Sequence, residues 1–464
     1  MISPITLTII GTGPGAVAAA LRARKLGIKV TILEQEHPLQ RCQSWYEITF
    51  QALLKSAMKY ENISKCGAYG LKAEGIHFDL DAIMERSQGI TDRFISGIEF
   101  LFKKHKIKHR RGEACFLSPG EILLRSRKGE TSLRSDFFII ATGARPRTLP
   151  DASLDGERII SPQDALRLQT FPQRVVIVGA GSTGMEWTCW FRALGAQVTL
   201  LETQDQILPH EDSEIARTIR KILLRKGIQI TTSAAVTAVS RIGEEVEVEF
   251  EYRGQKKRIR ADAALMAVGV TPELENLGLE RSGVRTSPNG IIVNQHMQTQ
   301  LQHIYAIGDA IGPPWLAHAA AAEGIHAVEH LAGRNPDIID YDSIPYCLNC
   351  RPPLARLGLT EQRAQTEGIG YTVGRFDLRA NSRALATGEA DGLVKLLFDQ
   401  QYGTLIGAHI VGGAASEMIH ELVLGKRLEV TAEEIARSIH AHPSLSESIM
   451  EAARNSIGAG IYGA

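Results

Sequence analysis

The sequence predicts an α/β protein with two nucleotide-binding βαβ units and a separate C-terminal α+β domain. Three observations support this fold class. A short apolar run ends in glycines and leads into an alanine-rich helical stretch and a second apolar run. The same order recurs in the middle of the chain, and from Asp340 onward several strand-like runs precede helical ones. Alternating strand and helix patterns are typical of parallel sheets covered by helices.

Length and composition limit the classes of function. A chain of 464 residues is too long for one hydrophobic core, so we expect several domains. Lys+Arg and Asp+Glu both number 52, and this zero net charge gives no general attraction to nucleic acid or membranes. No apolar run is long enough to span a bilayer, and the apolar start has no basic leader, so it predicts a strand rather than a signal peptide. We therefore expect a cytoplasmic protein.

The first βαβ unit carries the pattern G-x-G-x-x-A between a strand predicted over residues 5–10 and a helix. Gly11 permits a tight turn, and Gly13 lets the backbone approach a pyrophosphate. Ala16 is small enough for the helix to pack on the strand, and the N-terminus of the helix offers free N–H groups to phosphates. Glu34 ends the second strand and can accept a hydrogen bond from a ribose hydroxyl. One such pattern alone would also fit a glycine-rich turn in another α/β protein.

The second unit repeats the arrangement. A strand over residues 174–178 leads to Gly179-Ala180-Gly181-Ser182-Thr183-Gly184, and the strand over 197–201 ends on Glu202. The first glycine and the acid are 23 positions apart in both copies (34 − 11 and 202 − 179). Two copies predict two bound dinucleotides. The carboxylate of Glu202 would repel a 2′-phosphate and so favours NADH over NADPH, although a solvated strand-end glutamate is the alternative.

Further signals complete the Rossmann-like pattern. Apolar runs end at Gly143, at Gly269 and at Gly308-Asp309, where backbone can meet a ligand. With these runs and His442-Pro443, in this order, the chain resembles the pyridine nucleotide–disulfide oxidoreductases, and among them the dihydrolipoamide dehydrogenases. The likeness extends over nearly the whole chain and includes residues 97–104, 380–384 and 440–444.

The resemblance implies FAD on the first unit, NAD on the second and a C-terminal domain that forms a homodimer. The domains it implies are an FAD-binding domain over 1–149, an NAD-binding domain over 150–269, the second part of the FAD-binding domain over 270–339 and a dimerisation domain over 340–464. The residues it implies for FAD are Gly11, Gly13, Gly15, Ala16, Glu34, Gly143, Asp309, Leu316, Ala317 and His318. Those it implies for NAD are Gly179, Gly181, Gly184, Glu186, Glu202 and Gly269, with Glu186 beside the nicotinamide.

The resemblance also implies a catalytic pair, His442 and Glu447, in which the acid orients the base. A carboxylate bonded to one ring nitrogen fixes the tautomer while the other nitrogen exchanges a proton. In the family this pair acts on the thiols of the other subunit. The neighbouring His440 is interpreted as a structural histidine.

The redox motif of the family, C-x-x-x-x-C-x-P-S-K, is incomplete in this chain. Aligned without a gap on Ala52-Leu53-Leu54, Cys42 takes the position of the first cysteine and Glu47 that of the second, which normally contacts the flavin. The other replacements are Leu39 and Gln40 for two glycines, Thr49 for the proline, Phe50 for the serine and Gln51 for the lysine. A carboxylate cannot form a disulfide with Cys42 or relay electrons, so ordinary dihydrolipoamide oxidation is not expected.

Several alternatives remain open from the sequence. The flavin could pass hydride to a second acceptor, as in soluble transhydrogenases of the family, although these generally lack the C-terminal histidine. Cys42 alone could act as a sulfenic acid or mixed disulfide, as in relatives that reduce peroxide or coenzyme A disulfide. Cys347 and Cys350 could be a relocated dithiol if the chain turns there, because a straight strand would hold them about 10 Å apart.

The sequence therefore predicts an FAD-dependent, NADH-linked oxidoreductase with a small-molecule electron donor or acceptor. The competing hypotheses are dihydrolipoamide dehydrogenation through Cys347 and Cys350, and a catalytically retired paralogue that binds FAD and could bind a lipoyl-bearing protein. Cys66, Cys115 and Cys189 are interpreted as buried small hydrophobes. No metal site is expected, because the cysteines do not form two close pairs.

Overall fold

The computed structural model of the chain describes residues 4–35 and 45–462. By its internal contacts the chain divides into two compact units. The first comprises Met1–Ser56, Asp79–Arg147 and Gly269–Ile339. The second comprises Ala57–Phe78, Thr148–Val268 and Asp340–Ala464. The NAD-binding and C-terminal domains expected from the sequence fall in the same unit, and the four boundaries given above stay predictions.

A five-stranded parallel sheet forms the centre of the first unit. Its strands, in spatial order, are Ile304–Ala306, Phe137–Ile140, Thr6–Ile10, Lys29–Glu34 and Lys108–Arg111. The inner strands are nearly continuous apolar runs, as expected for a parallel sheet covered on both faces. Helices Pro14–Lys25, Leu80–Lys104 and Ala317–Leu331 contribute to the core around this sheet.

Smaller elements complete the first unit. Three antiparallel strands, Glu113–Ser118, Glu121–Ser126 and Gly129–Arg134, form a second sheet. Two strand pairs join Ala144–Pro146 with Val270–Pro272, and Thr286–Ser287 with Gly290–Ile291. The helical pieces are the start of Tyr46–Ser64, Leu279–Ser282 and the 3₁₀ turn Gly308–Ile311.

The second unit contains three sheets. A parallel sheet has the order Gln229–Thr231, Gln197–Leu201, Arg174–Val178, Ala263–Met266 and Ile159–Ile160. An antiparallel sheet is formed by Ala234–Ile242, Glu245–Tyr252 and Gln255–Ala261. The C-terminal antiparallel sheet has the order Tyr346–Leu348, Leu354–Gly358, Leu405–Val411, Leu393–Asp399 and Tyr371–Asp377.

The helices of the second unit follow the sequence pattern. They are Pro162–Ala165, Ser182–Ala193, Ser213–Arg225, Glu361–Thr366, Ser382–Thr387, Ala415–Arg427, Ala432–Arg437 and Glu447–Ser456. The 3₁₀ turns are Cys66–Tyr69, Tyr341–Ser343 and Leu378–Ala380. The predicted fold class is confirmed: two Rossmann-like units are followed by an α+β domain. Over residues 4–35 and 45–462, no helix combines the length and apolar character needed to cross a membrane.

Candidate functional site

The first glycine loop has the geometry of a phosphate cradle. Gly11 has φ +120°, and a Cβ there would lie 2.0 Å from the Ala141 carbonyl oxygen, so only glycine fits. A Cβ at Gly13 would meet open space. Gly13 is also the N-cap of helix Pro14–Lys25 and gives it no side-chain cap, so the free N–H groups are available to an anion.

Close packing of backbones places two helices beside this loop. A Cβ at Gly15 would lie 2.8 Å from the Ala320 carbonyl oxygen, and one at Gly324 would lie 2.5 Å from the Gly15 carbonyl oxygen. Ala16 is fully buried. The small residues predicted for the loop therefore let helix Ala317–Leu331 approach it closely. Helix Ala317–Leu331 has Leu316 as its N-cap, again without a side-chain cap.

Glu34 lies where the sequence places it, at the end of the second strand, but it already has partners. Its Oε2 accepts a hydrogen bond from Arg111 Nε at 2.9 Å and lies 3.0 Å from His109 Nε2. Glu34, His109 and Phe102 line a cleft that also contacts Thr12 of the glycine loop. The cleft is suited to the adenosine end of a dinucleotide. Arg111 and His109 had no signal in the sequence, since they lie on a strand brought alongside by the sheet order.

The opposite end of the candidate FAD site contains Gly143 and Asp309. Gly143 has φ +80°, and next to it the Thr142 hydroxyl is buried without a hydrogen-bond partner among the described residues. Such an orphaned polar group is expected to meet a ligand or water. Asp309 lies in the turn Gly308–Ile311, and His318 is exposed in the first turn of the helix that follows.

Asp309 and Glu47 are close enough to influence each other. Loss of solvation, together with the negative charges of Glu47 and Glu323, raises the pKa of Asp309 to about 6. Loss of solvation also raises the pKa of Glu47, in the first turn of helix Tyr46–Ser64, although its side chain is exposed to solvent on one side. The residue at the flavin-facing position of the motif therefore lies near the ribityl-binding aspartate implied by the resemblance.

The remaining motif residues are structural where they are described. Phe50 is buried in the core, and the Thr49 hydroxyl bonds that of Thr91 at 2.8 Å. Cys42 lies outside the described residues.

The second glycine loop repeats the geometry of the first. Gly179 has φ +100°, and a Cβ there would lie 2.3 Å from the Ala267 carbonyl oxygen. A Cβ at Gly184 would lie 1.9 Å from the Gly179 carbonyl oxygen, whereas one at Gly181 would meet open space. Gly181 caps helix Ser182–Ala193 without a side-chain bond. This loop thus fits a second pyrophosphate.

Glu202 is not the solvated glutamate considered as an alternative. It is buried, its Oε2 accepts the Ala180 N–H at 2.6 Å, and its Oε1 accepts the Gln204 N–H at 2.8 Å. The carboxylate therefore braces the glycine loop itself. Gly269 is the first residue of the last segment of the other unit and has φ +97°.

Glu186, expected beside the nicotinamide, lies on helix Ser182–Ala193. Its Oε1 accepts the Asn349 N–H at 3.2 Å, so the loop that carries Cys350 lies against this helix.

The described cysteines include two whose thiols interact. Cys347 lies on strand Tyr346–Leu348, and loss of solvation raises its pKa. The Cys350 thiol interacts with that of Cys189. The hypothesis of a Cys347–Cys350 dithiol stays a prediction. Cys66 and Cys115 are half-buried rather than buried, and Cys189 is buried as expected.

His442 and Glu447 are brought together as predicted. His442 Nδ1 lies 2.9 Å from Glu447 Oε1, and the other oxygen of Glu447 accepts the Ser444 N–H at 2.8 Å. The Ser444 N–H and His442 hold the pKa of Glu447 below its usual value despite partial desolvation. The side chain of His442 is 71% exposed, so its Nε2 edge is free to meet a group from outside the chain. The neighbouring His440 has its Nε2 atom 2.8 Å from Glu421 Oε1.

Comparisons with known proteins agree along the chain. The profile of the pyridine nucleotide-disulphide oxidoreductases matches residues 5–324, and that of their dimerisation domain matches residues 344–453. A dihydrolipoyl dehydrogenase of Rhizobium etli is 39% identical over 97% of both chains. One of Bacillus subtilis is 36% identical over the whole of both.

Solved structures give the same fold. The crystal structure of LpdA from Mycobacterium tuberculosis has a TM-score of 0.89 and 27% identity, covering 97% of this chain and 99% of that one. The flavoprotein disulfide reductase RclA of Escherichia coli has a TM-score of 0.84 at 24% identity, covering 96% and 98%, a likeness of fold alone. Enzymes of the dihydrolipoyl dehydrogenase kind use FAD and NAD(H), and the two open, uncapped glycine loops fit these cofactors.

Proposed function

Since the chain belongs to the pyridine nucleotide–disulphide oxidoreductase family, we propose that it is an FAD-dependent enzyme that moves electrons between NAD(H) and a small molecule other than a dithiol. The observation that carries this proposal is Glu47. It stands at the position of the flavin-contacting cysteine, and its charge acts on Asp309. A carboxyl group there cannot form the disulfide on which dithiol oxidation depends.

The residues of the two loops bind and orient the cofactors. Gly11 and Gly13 in the first unit, and Gly179 and Gly181 in the second, let the backbone approach a pyrophosphate. When bound, FAD would supply a group that accepts hydride from NADH and passes electrons to the acceptor. Glu186 would lie at the nicotinamide end of the second site.

Glu47 and His442 supply proton chemistry instead of sulfur chemistry. Because its pKa is raised, Glu47 keeps its proton to a higher pH than an ordinary glutamate and can donate a hydrogen bond or a proton where the family keeps a thiolate. The exposed His442 ring, oriented by Glu447, can exchange a proton with an acceptor. A quinone needs two electrons and two protons, so it matches this set of groups.

The proposed enzyme is a homodimer. The dimerisation profile extends over residues 344–453, and within it the side chain of Ile439 is 98% exposed near the His442–Glu447 pair. A large apolar side chain so exposed is suited to an interface with a second copy. In that arrangement His442 would serve the site of the partner, as the family resemblance implies.

Anaerobic titration of the purified FAD-containing protein with NADH tests the proposal. We expect the visible flavin absorbance to fall without a thiolate-to-flavin charge-transfer band, because Glu47 replaces the cysteine that contacts the flavin in the family. A soluble quinone added afterwards should restore the absorbance, and lipoamide should not. Unchanged absorbance with NADH would remove the proposed enzyme, and rapid recovery with lipoamide would remove the proposed acceptor class.

Glu47→Gln is the matched variant, because it keeps the size of the side chain and removes its ionisation. We expect the variant to bind FAD normally and to be reduced by NADH. Its rate of quinone reduction should no longer change with pH over the range in which the Glu47 carboxyl group ionises. An unaltered pH profile would show that Glu47 takes no part in proton transfer.

A further inference from the structure

We propose that Cys189 and Cys350 form a redox-active dithiol that hydroperoxides oxidise reversibly to a disulfide. This site is separate from the proposed flavin chemistry and does not depend on it. The two cysteines are far apart in the sequence, and neither belongs to the cysteine motif of the family.

Backbone hydrogen bonds hold the loop of Cys350 against the helix of Cys189. Glu186 and Cys189 are three residues apart on helix Ser182–Ala193 and so lie on one face. Glu186 accepts the Asn349 N–H at 3.2 Å, and Cys189 Sγ accepts the Arg351 N–H at 3.4 Å. The residues on both sides of Cys350 are therefore fixed to this face.

The loop is fixed from its other side as well. Lys226 Nζ donates to the Arg351 carbonyl oxygen at 3.0 Å, and the Arg351 guanidinium bonds Asn62 at 2.6 Å and Glu61 at 3.2 Å. The Arg351 N–H on Cys189 Sγ holds the residue next to Cys350 at this sulfur, and the two thiols are close enough to shift each other's pKa. Forming an S–S bond of about 2 Å then requires a local approach of the sulfurs rather than a rearrangement of the fold.

The surroundings give the two sulfurs different roles. The hydrogen bond from Cys350, the Arg351 N–H and the charge of Lys226 lower the pKa of Cys189, against the effect of burial. The interaction with Cys189 and burial raise the pKa of Cys350, whose sulfur also lies 2.7 Å from the Pro352 carbonyl oxygen. Cys189 is thus the nucleophile and Cys350 the resolving thiol.

The reaction balances with a hydroperoxide as the oxidant. The Cys189 thiolate attacks the distal peroxide oxygen, the O–O bond breaks, and hydroxide or alkoxide leaves and takes up the proton that Cys189 released. The Cys350 sulfur then attacks the sulfur of the sulfenic acid and displaces hydroxide, which leaves as water with the Cys350 proton. With hydrogen peroxide, two thiols are oxidised by two electrons and the peroxide becomes two molecules of water. A thiol reductant reverses the change.

A small oxidant is the suitable substrate because both sulfurs are buried. Cys189 is 6% and Cys350 3% exposed, so bulky disulfides are excluded and hydrogen peroxide is the oxidant that the proposal names. Cys66 is more exposed, but its thiol bonds only the Leu71 carbonyl oxygen and has no sulfur neighbour among the described residues. It therefore provides a matched control.

Peptide mapping tests the proposal. The FAD-containing protein is treated with hydrogen peroxide at low molar excess, unfolded in an alkylating agent and digested without reductant. We expect a cross-linked pair of peptides containing Cys189 and Cys350, which disappears after dithiothreitol. A disulfide between Cys350 and either Cys347 or Cys42 would overturn the proposal. So would the finding that Cys189 and Cys350 are both alkylated in a sample in which Cys66 is oxidised.

Variants separate the roles. In Cys350→Ser, a sulfenic acid at Cys189 should be trapped by dimedone, whereas in Cys189→Ser residue 350 should take up no dimedone. Cys66→Ser should form the cross-link as the unaltered protein does. Equal dimedone labelling of residues 189 and 350 in the two variants would contradict the assigned roles. The map of the unaltered protein decides the proposal even if a variant fails to fold.

Discussion

At the residue scale, the partly buried carboxyl group of Asp309 makes the stability of the folded chain depend on pH. The folded chain holds the Asp309 proton up to about pH 6, while the unfolded chain releases it near the ordinary value of 3.8. Between these values the folded state binds more protons, so stability falls as the pH rises through that window. The cause is loss of solvation together with the like charges of Glu47 and Glu323.

We expect Asp309→Asn to raise the unfolding temperature of the FAD-free protein above pH 6 and to leave it unchanged near pH 4. The gain should reach at most about 3 kcal/mol, the free energy of a two-unit shift in pKa. Thermal unfolding at a series of pH values measures it. The exposed Asp151→Asn serves as the control, and an equal gain at pH 4 and pH 7 would refute the assignment to Asp309 ionisation.

At the element scale, the second glycine loop separates two functions of glycine within a few residues. Gly184 lets helix Ser182–Ala193 pack on the strand before it, since a Cβ would lie 1.9 Å from the Gly179 carbonyl oxygen. Gly181 has φ −72°, which any residue adopts, and a Cβ there would meet nothing. The first is needed for folding, and the second leaves room for a ligand.

We expect Gly184→Ala to destabilise the protein by about 1–3 kcal/mol, because the neighbour is backbone and cannot turn away. Gly181→Ala should keep the unfolding temperature and weaken NADH binding by about tenfold, a cost of ~1.4 kcal/mol. Urea unfolding and NADH titration measure the two effects. If Gly181→Ala unfolds at a lower urea concentration and keeps its affinity for NADH, Gly181 is needed for folding and not for binding.

At the scale of the whole molecule, one buried lysine joins the nucleotide-binding part of the second unit to the C-terminal sheet. Lys395 is fully buried on strand Leu393–Asp399. Its ammonium contacts Asp212 at 2.7 Å, Glu214 at 3.0 Å and Glu361 at 2.5 Å. Asp212 is also the N-cap of helix Ser213–Arg225, so the cluster ties elements from both parts of the chain together.

We expect Lys395→Met to cost about 3–5 kcal/mol, because it leaves the buried Asp212 carboxylate without its cation. Glu214 and Glu361 keep an ion pair with Arg375. Urea unfolding at neutral pH measures this loss, and part of the stability should return at lower pH as the carboxylates take up protons. Arg437→Met removes an exposed ion pair with Glu433 at 3.0 Å and should cost less than about 1 kcal/mol. Similar losses in the free energy of unfolding in both variants would show that the buried cluster stabilises the protein no more than an exposed ion pair does.

The sequence by itself determined the fold class, both glycine loops with their acids and the His442–Glu447 pair. That the flavin-facing sulfur is lost stays a prediction from the sequence. The first three follow from local patterns: apolar periodicity, glycine where backbone must come close, and residues a fixed distance apart along one strand or turn. The pairing of Glu202 with Ala180, by contrast, needs the distance between a strand end and a loop 22 residues away.

Only the tertiary structure decided which side chains, far apart in the sequence, lie close together in the fold. It places Glu47 near Asp309, and Cys350 near Cys189. The physical reason is that strand order and close helix packing bring together residues hundreds of positions apart. Solvation and charge, which set the pKa values and the reactivity of these groups, depend on those neighbours and not on the local sequence.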